Sequence, residues 1–237
     1  MIELKELVKK YGKFTALNSI SLKLNKGQTI ALIGPNGSGK TTLIKSILGL
    51  VIPTKGDILV NGETVRNHWS YRSNIGYMPQ ISRFPENMTV QQVLSMMREI
   101  RQHQTEYDED LIREFDIPSI QNKSMRSLSG GTRQKVSACI AFLFNPQVLI
   151  LDEPTAGLDP LSVEKLKDKI RKEKEKGKLI LITSHVLSDL DDLTSEVIYM
   201  QDGKLRFHST IQELQERTGE ERLNRMIAEI MRREQSN

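Results

Sequence analysis

The eight residues Gly34, Pro35, Asn36, Gly37, Ser38, Gly39, Lys40 and Thr41 constrain this chain more than any others, because they match the spacing G-x-x-x-x-G-K-[ST]. Upstream, Gln28 to Ile33 is a short apolar run of strand formers. Downstream, residues 41–48 are helical in pattern and Gly49 stops them. A glycine-rich turn from strand into helix points successive backbone N–H groups at an anion, and the helix N-terminus adds partial positive charge. The surrounding fold is therefore α/β. In that setting Lys40 reaches the β- and γ-phosphates of a nucleotide and the Thr41 hydroxyl ligates Mg²⁺, with Thr42 next in the same turn.

A second glycine-rich turn, Leu128 to Thr132, reads Leu-Ser-Gly-Gly-Thr and carries no lysine of its own. It opens a helical stretch running to about Phe144. The amides of Ser129, Gly130 and Gly131 form another anion site at a helix N-terminus. One chain thus holds two phosphate cradles of different character.

Carboxylates follow. Val148 to Leu151 is an apolar run that reads as a buried parallel strand and ends at Asp152 and Glu153. Ligands of open α/β sheets bind at that edge. Asp152 is placed to hold Mg²⁺ through water, and Glu153 to orient and deprotonate the attacking water. Two more strands end in polar residues on the same expected edge. Gln80, after the strand 74–78, offers its amide oxygen to Mg²⁺ or the water. His185, after the strand 178–184, hydrogen-bonds a γ-phosphate.

Together these residues resemble the ATP-binding subunits of ABC transporters over roughly residues 2–210, in the family's order. Tyr11 matches the aromatic A-loop that stacks on adenine, with Phe14 as fallback. Gly34 to Thr41 match Walker A, Gln80 the Q-loop, Leu128 to Thr132 the signature, Asp152 and Glu153 Walker B, Asp159 the D-loop, and His185 the switch. One position departs: the family has Gln where this chain has Thr132, followed by Arg133 and Gln134. The stretch from Leu128 also resembles the ATPase of copper-related exporters that serve nitrous-oxide reductase maturation.

The resemblance implies a single ABC ATPase domain over 1–237, with a P-loop NTPase fold. A RecA-like core (1–84 and 146–210) carries an N-terminal antiparallel β-subdomain. An α-helical ABC subdomain spans 85–145, and a helical tail spans 211–237. It implies ATP and Mg²⁺ as ligands, and a homodimer in which each Walker A faces its partner's signature with ATP between. Asp159 couples the two sites. Hydrolysis opens the dimer and drives a separate membrane permease from the cytoplasmic face of the cell membrane, with export the direction the resemblance implies. A soluble ABC-type ATPase of iron–sulfur cluster assembly is the rival reading; a coiled coil or zinc insert of the DNA-repair type is absent from the sequence.

Composition agrees. No run approaches ~18 apolar residues, and the N-terminus enters directly as a strand with no signal peptide. A formal charge of +4 does not argue for nucleic acid. The lone Cys139 lies in an apolar helical stretch and reads as small-residue packing in a reducing compartment. Residues 165–178 are rich in lysine and read as a solvated helix face beside a stripe of Val163, Leu166 and Ile170. Residues 1–33 read as several short strands, and 211–237 as helical with Leu223, Met226, Ile227, Ile230 and Met231 in one apolar stripe.

Overall fold

The computed structural model describes residues 1–101, 104 and 106–235. They form two compact units: Met1–Tyr71 with Leu181–Asn237, and Arg72–Ile180.

The first unit opens with β1 (Ile2–Tyr11), β2 (Phe14–Leu24), β3 (Thr29–Ile33), α1 (Lys40–Ile47), β4 (Lys55–Val60) and β5 (Glu63–Thr64). The strands β2-β1-β4-β5 make an antiparallel sheet. The several short strands expected over residues 1–33 are instead two long ones, β1 and β2, followed by the short β3. Register shifts between Leu4 and Leu7, and again near Lys9, interrupt the β1–β2 ladder. Such bulges break the period-2 pattern that marks a continuous strand in sequence. Asn61 and Gly62 both adopt positive φ between β4 and β5, the conformation an Asn-Gly hairpin turn requires.

The second unit contains β6 (Ile75–Met78), α2 (Val90–Ile100), α3 (Asp110–Glu114), α4 (Gly130–Phe142), β7 (Val148–Asp152) and α5 (Pro160–Glu175). β6 and β7 pair in parallel, with Tyr77 opposite Ile150. Every residue of β7 is buried, as a strand covered on both faces must be. Thr89 caps α2 in a capping box with Gln92. Cys139 is buried in α4, where burial pushes its thiol pKa up; this is packing chemistry.

The basic run behaves differently from the expectation. Lys169 and Lys178 are buried. Lys169 Nζ meets Asp108 at 2.5 Å, Asp110 at 2.9 Å and Glu173 at 3.1 Å. Lys178 pairs with Glu173 and donates to Asn145 Oδ1 at 2.6 Å. Buried lysines persist because carboxylates neutralise them. Asp108 is 61 residues from Lys169 in the chain, so no local pattern announces the pair.

β8 (Leu179–Thr183) carries the chain across the division. The first unit resumes with β9 (Glu196–Gln201), β10 (Lys204–Thr210), α6 (Ile211–Thr218) and α7 (Leu223–Gln235). β9 pairs in parallel with β3 and antiparallel with β10. The tail is two helices, split where Gly219 takes φ 73°. Leu223, Met226, Ile227 and Ile230 are buried, so the stripe covers this chain's own core. Among the described residues no helix is long and apolar enough to cross a membrane.

Candidate nucleotide site

In the first unit the turn from β3 to α1 is built around close backbone contact. A Cβ on Gly34 would lie 2.1 Å from the Met200 carbonyl oxygen, and φ is 146°, so glycine is required. Gly203 N–H donates to the Ser38 carbonyl at 3.1 Å, fixing the loop to the β9–β10 turn. Lys40 Nζ donates to the carbonyls of Gly34 at 2.6 Å and Pro35 at 3.1 Å, which holds the ammonium across the loop. Ser38 Oγ is buried without a hydrogen-bond partner. No acidic residue occupies the first turn of α1, so the helix sets no negative charge of its own against its positive end. A close-fitting glycine backbone, an orphaned buried hydroxyl and a helix end without an acid of its own suit a polyphosphate.

Tyr11 and Phe14 pair at the end of the β1–β2 hairpin and are 49% and 61% exposed. Lys9 Nζ stands 4.9 Å from the Tyr11 ring centroid. His185 is exposed just beyond β8. Buried Ser184 accepts from the Val186 N–H at 3.0 Å and so turns the chain around His185.

In the second unit, Asp152 ends β7 and Glu153 follows it; they are 6% and 8% exposed. Burial first, and then the negative charge of Asp152, raise the Tyr77 hydroxyl pKa to about 12. Glu153 adopts φ 54°, the left-handed region, which costs a non-glycine residue ~1–3 kcal/mol. That conformation turns the chain sharply off the strand. The Ala156 N–H donates to the Glu153 carbonyl at 3.1 Å and closes the turn.

One face of α4 lies along the 153–159 segment. Gly131, Gln134 and Lys135 are spaced i, i+3, i+4 and so share that face. A Cβ on Gly131 would sit 2.5 Å from the Gly157 carbonyl oxygen. Gln134 is 5% exposed; its Nε2 donates to the Glu153 carbonyl at 3.5 Å, and its Oε1 accepts from Ser82 Oγ at 3.2 Å. Lys135 pairs with Asp159 at 2.8 Å. Asp159 also caps α5, accepting from the Ser162 N–H at 3.0 Å and the Ser162 hydroxyl at 2.7 Å. A groove of about 750 Å³ brings together Gln80, Ser82, Gly130, Gly131, Gln134 and Gly157. Ser129 caps α4, accepting from the Thr132 N–H at 3.2 Å, and again no acid stands in the first turn. The sequence reading singled out Ser129 to Gly131 and Asp159 but missed Gln134 and Lys135 as their links. The i, i+3, i+4 spacing after Gly131 was the available signal.

The phosphate loop, the parallel strands and the paired acids define a P-loop ATP-binding domain. The sequence model of the family described as "ABC transporter" matches residues 17–156. The lantibiotic transport ATP-binding protein SrtF of Streptococcus pyogenes is 32% identical over 207 residues, 86% of this chain and 89% of that protein. The lipopolysaccharide export system ATP-binding protein LptB of Haemophilus influenzae is 34% identical, over 84% of this chain and 86% of that protein. A solved structure described as an ATP-binding subunit of an ABC transporter superposes with a TM-score of 0.86 at 28% identity, covering 98% of this chain and 99% of its own. This chain belongs to the ABC transporter family and is one of its ATP-binding ATPase domains.

Proposed function

We propose that the chain hydrolyses ATP as a symmetric pair and powers a separate membrane permease, in the direction of export, from the cytoplasmic face of the membrane. The observation that carries this reading is the presence of two unlike anion cradles, each at a helix N-terminus without an acidic residue. The α1 cradle has a lysine; the α4 cradle has none. A polyphosphate gripped by both, one from each chain, is the economical use of such surfaces. The relative named for lipopolysaccharide export supports that direction, and the one named for sulfate/thiosulfate import supports the opposite one.

In this reading Tyr11 stacks on adenine, and Gly34 to Thr42 wrap the phosphates. Ser129, Gly130 and Gly131 meet the γ-phosphate of the partner's nucleotide. Thr41, Gln80 and, through water, Asp152 would hold Mg²⁺, which would neutralise phosphate charge. Glu153 accepts the proton of the attacking water, and His185 bonds the γ-phosphate. Loss of the bridging phosphate then lets the pair part. Asp159, held by Lys135 on the α4 face, couples one site to the other.

Replacing Lys40 with alanine lowers ATP affinity by about 10- to 100-fold, the worth of a charge-assisted bond. Calorimetric titration with a non-hydrolysable ATP analogue reads this directly, and unchanged affinity removes the cradle. Glu153→Gln keeps ATP binding and slows hydrolysis by about 100-fold or more. Brisk turnover by that variant removes Glu153 as the base.

A further inference from the structure

Four helices of this chain begin with the cap side chain accepting the N–H three residues on; three of those caps, on α2, α4 and α6, are hydroxyls, and they are completed differently. Thr89 and Thr210 cap α2 and α6, and each hydroxyl accepts the backbone N–H of the residue three positions on. That residue is Gln92 in one and Glu213 in the other. Each side chain returns to the cap, accepting the N–H of Thr89 at 2.8 Å and of Thr210 at 2.8 Å. These are complete capping boxes.

Ser129 caps α4 with the same first bond, from the Thr132 N–H at 3.2 Å. Threonine has no carboxyl or amide to send back to the Ser129 N–H. Its hydroxyl turns to the cap side chain instead, with Thr132 Oγ1 2.8 Å from Ser129 Oγ.

We propose that Thr132 is a positioning residue whose hydroxyl donates to Ser129 Oγ and aims the Ser129 proton at a nucleotide phosphate oxygen. The bookkeeping of a hydroxyl is short: two acceptor lone pairs and one proton. With the Thr132 N–H and O–H occupying both lone pairs, the remaining Ser129 proton points outward. A helical threonine divides between two χ1 rotamers, and the 2.8 Å contact with Ser129 Oγ selects the one that places the donor. The inference rests on the proposed reading of Ser129 as a phosphate ligand across a nucleotide-bound pair.

The test uses the full chain carrying Glu153→Gln, and reads by sedimentation the ATP concentration at half-maximal dimer. Thr132→Val keeps the shape and the backbone cap but removes the hydroxyl. It raises that concentration by about threefold to tenfold, the worth of one neutral hydrogen bond, with the melting temperature unchanged. Thr132→Ser restores the original concentration. In a Ser129→Ala background, Thr132→Val adds nothing. An unshifted midpoint for Thr132→Val, an equal shift for Thr132→Ser, or a shift that survives Ser129→Ala each overturns the inference alone. A parent that forms no dimer at any ATP concentration, or a Ser129→Ala change without effect, overturns the shared reading of the site and the inference with it.

Discussion

Lys135 Nζ lies 2.8 Å from Asp159 Oδ2, so the helix that opens at Ser129 is tied to the cap of α5. Hydrogen bonds from Lys135, then from the Ser162 hydroxyl and N–H, hold the Asp159 carboxyl well below the usual carboxylate range. A carboxyl with a depressed folded pKa stabilises the fold above its unfolded pKa and loses that contribution as pH falls. Asp159→Ala therefore lowers the melting temperature at pH 7. The gap from the natural chain narrows as the pH is taken below about 4. Thermal unfolding of both proteins across that range checks the direction.

The lysine cluster makes a larger prediction. Burial pulls the Glu173 pKa up, but hydrogen bonds from Lys176, Lys178 and Lys169 outweigh it and bring the value to about 2. Glu173→Gln leaves Lys169 and Lys178 buried without their shared carboxylate. Breaking a buried pair in this way costs about 3–5 kcal/mol, to be read by urea unfolding at pH 7. In the natural chain the contribution is complete above the ordinary glutamate pKa of 4.5 and falls away towards pH 2.

Gln134 joins Ser82 to the main chain of Glu153. If Glu153 is the base, its aim depends on that carbonyl. Gln134→Met keeps the volume and removes both bonds. It lowers kcat by about tenfold while leaving KM for ATP unchanged, since small misplacements of a reacting group act on the chemical step. Steady-state ATPase kinetics separate the two constants.

The tail also reaches beyond its own packing. Leu223 N–H, at the start of α7, donates to Asp191 Oδ1 at 2.9 Å, and α7 packs on the turn Leu187–Asp189 that follows His185. Ile227→Ala removes a buried side chain and costs about 2–4 kcal/mol, measured by denaturant unfolding. Amide exchange of residues 186–195 quickens in the same variant if α7 holds that segment.

Much of this molecule is legible in its sequence because its signals are local. The phosphate loop sits between β3 and α1 as its spacing requires, and Asn61–Gly62 and Asp202–Gly203 adopt the positive φ that their turns demand. Thr89 caps α2 directly before Val90, Val93 and Leu94, the apolar residues at helical spacing that the helix buries. What stayed hidden depends on long-range pairing or on irregularity. The bulges in β1 blur its period, and the charges that bury Lys169 lie far away in the chain. The bond between Ser129 and Thr132 is local, yet the residue that makes it is the one that departs from the family's pattern.

The central claim is that one ATP is held by Lys40 of one chain and Ser129 of another. Asn36→Cys and Gly130→Cys chains, each also carrying Glu153→Gln, test it when mixed; both positions are open, and native Cys139 is buried. The account predicts a disulfide between the two chains that forms with ATP and Mg²⁺ and fails to form without them. A crosslink that never forms, or forms equally without nucleotide, contradicts it.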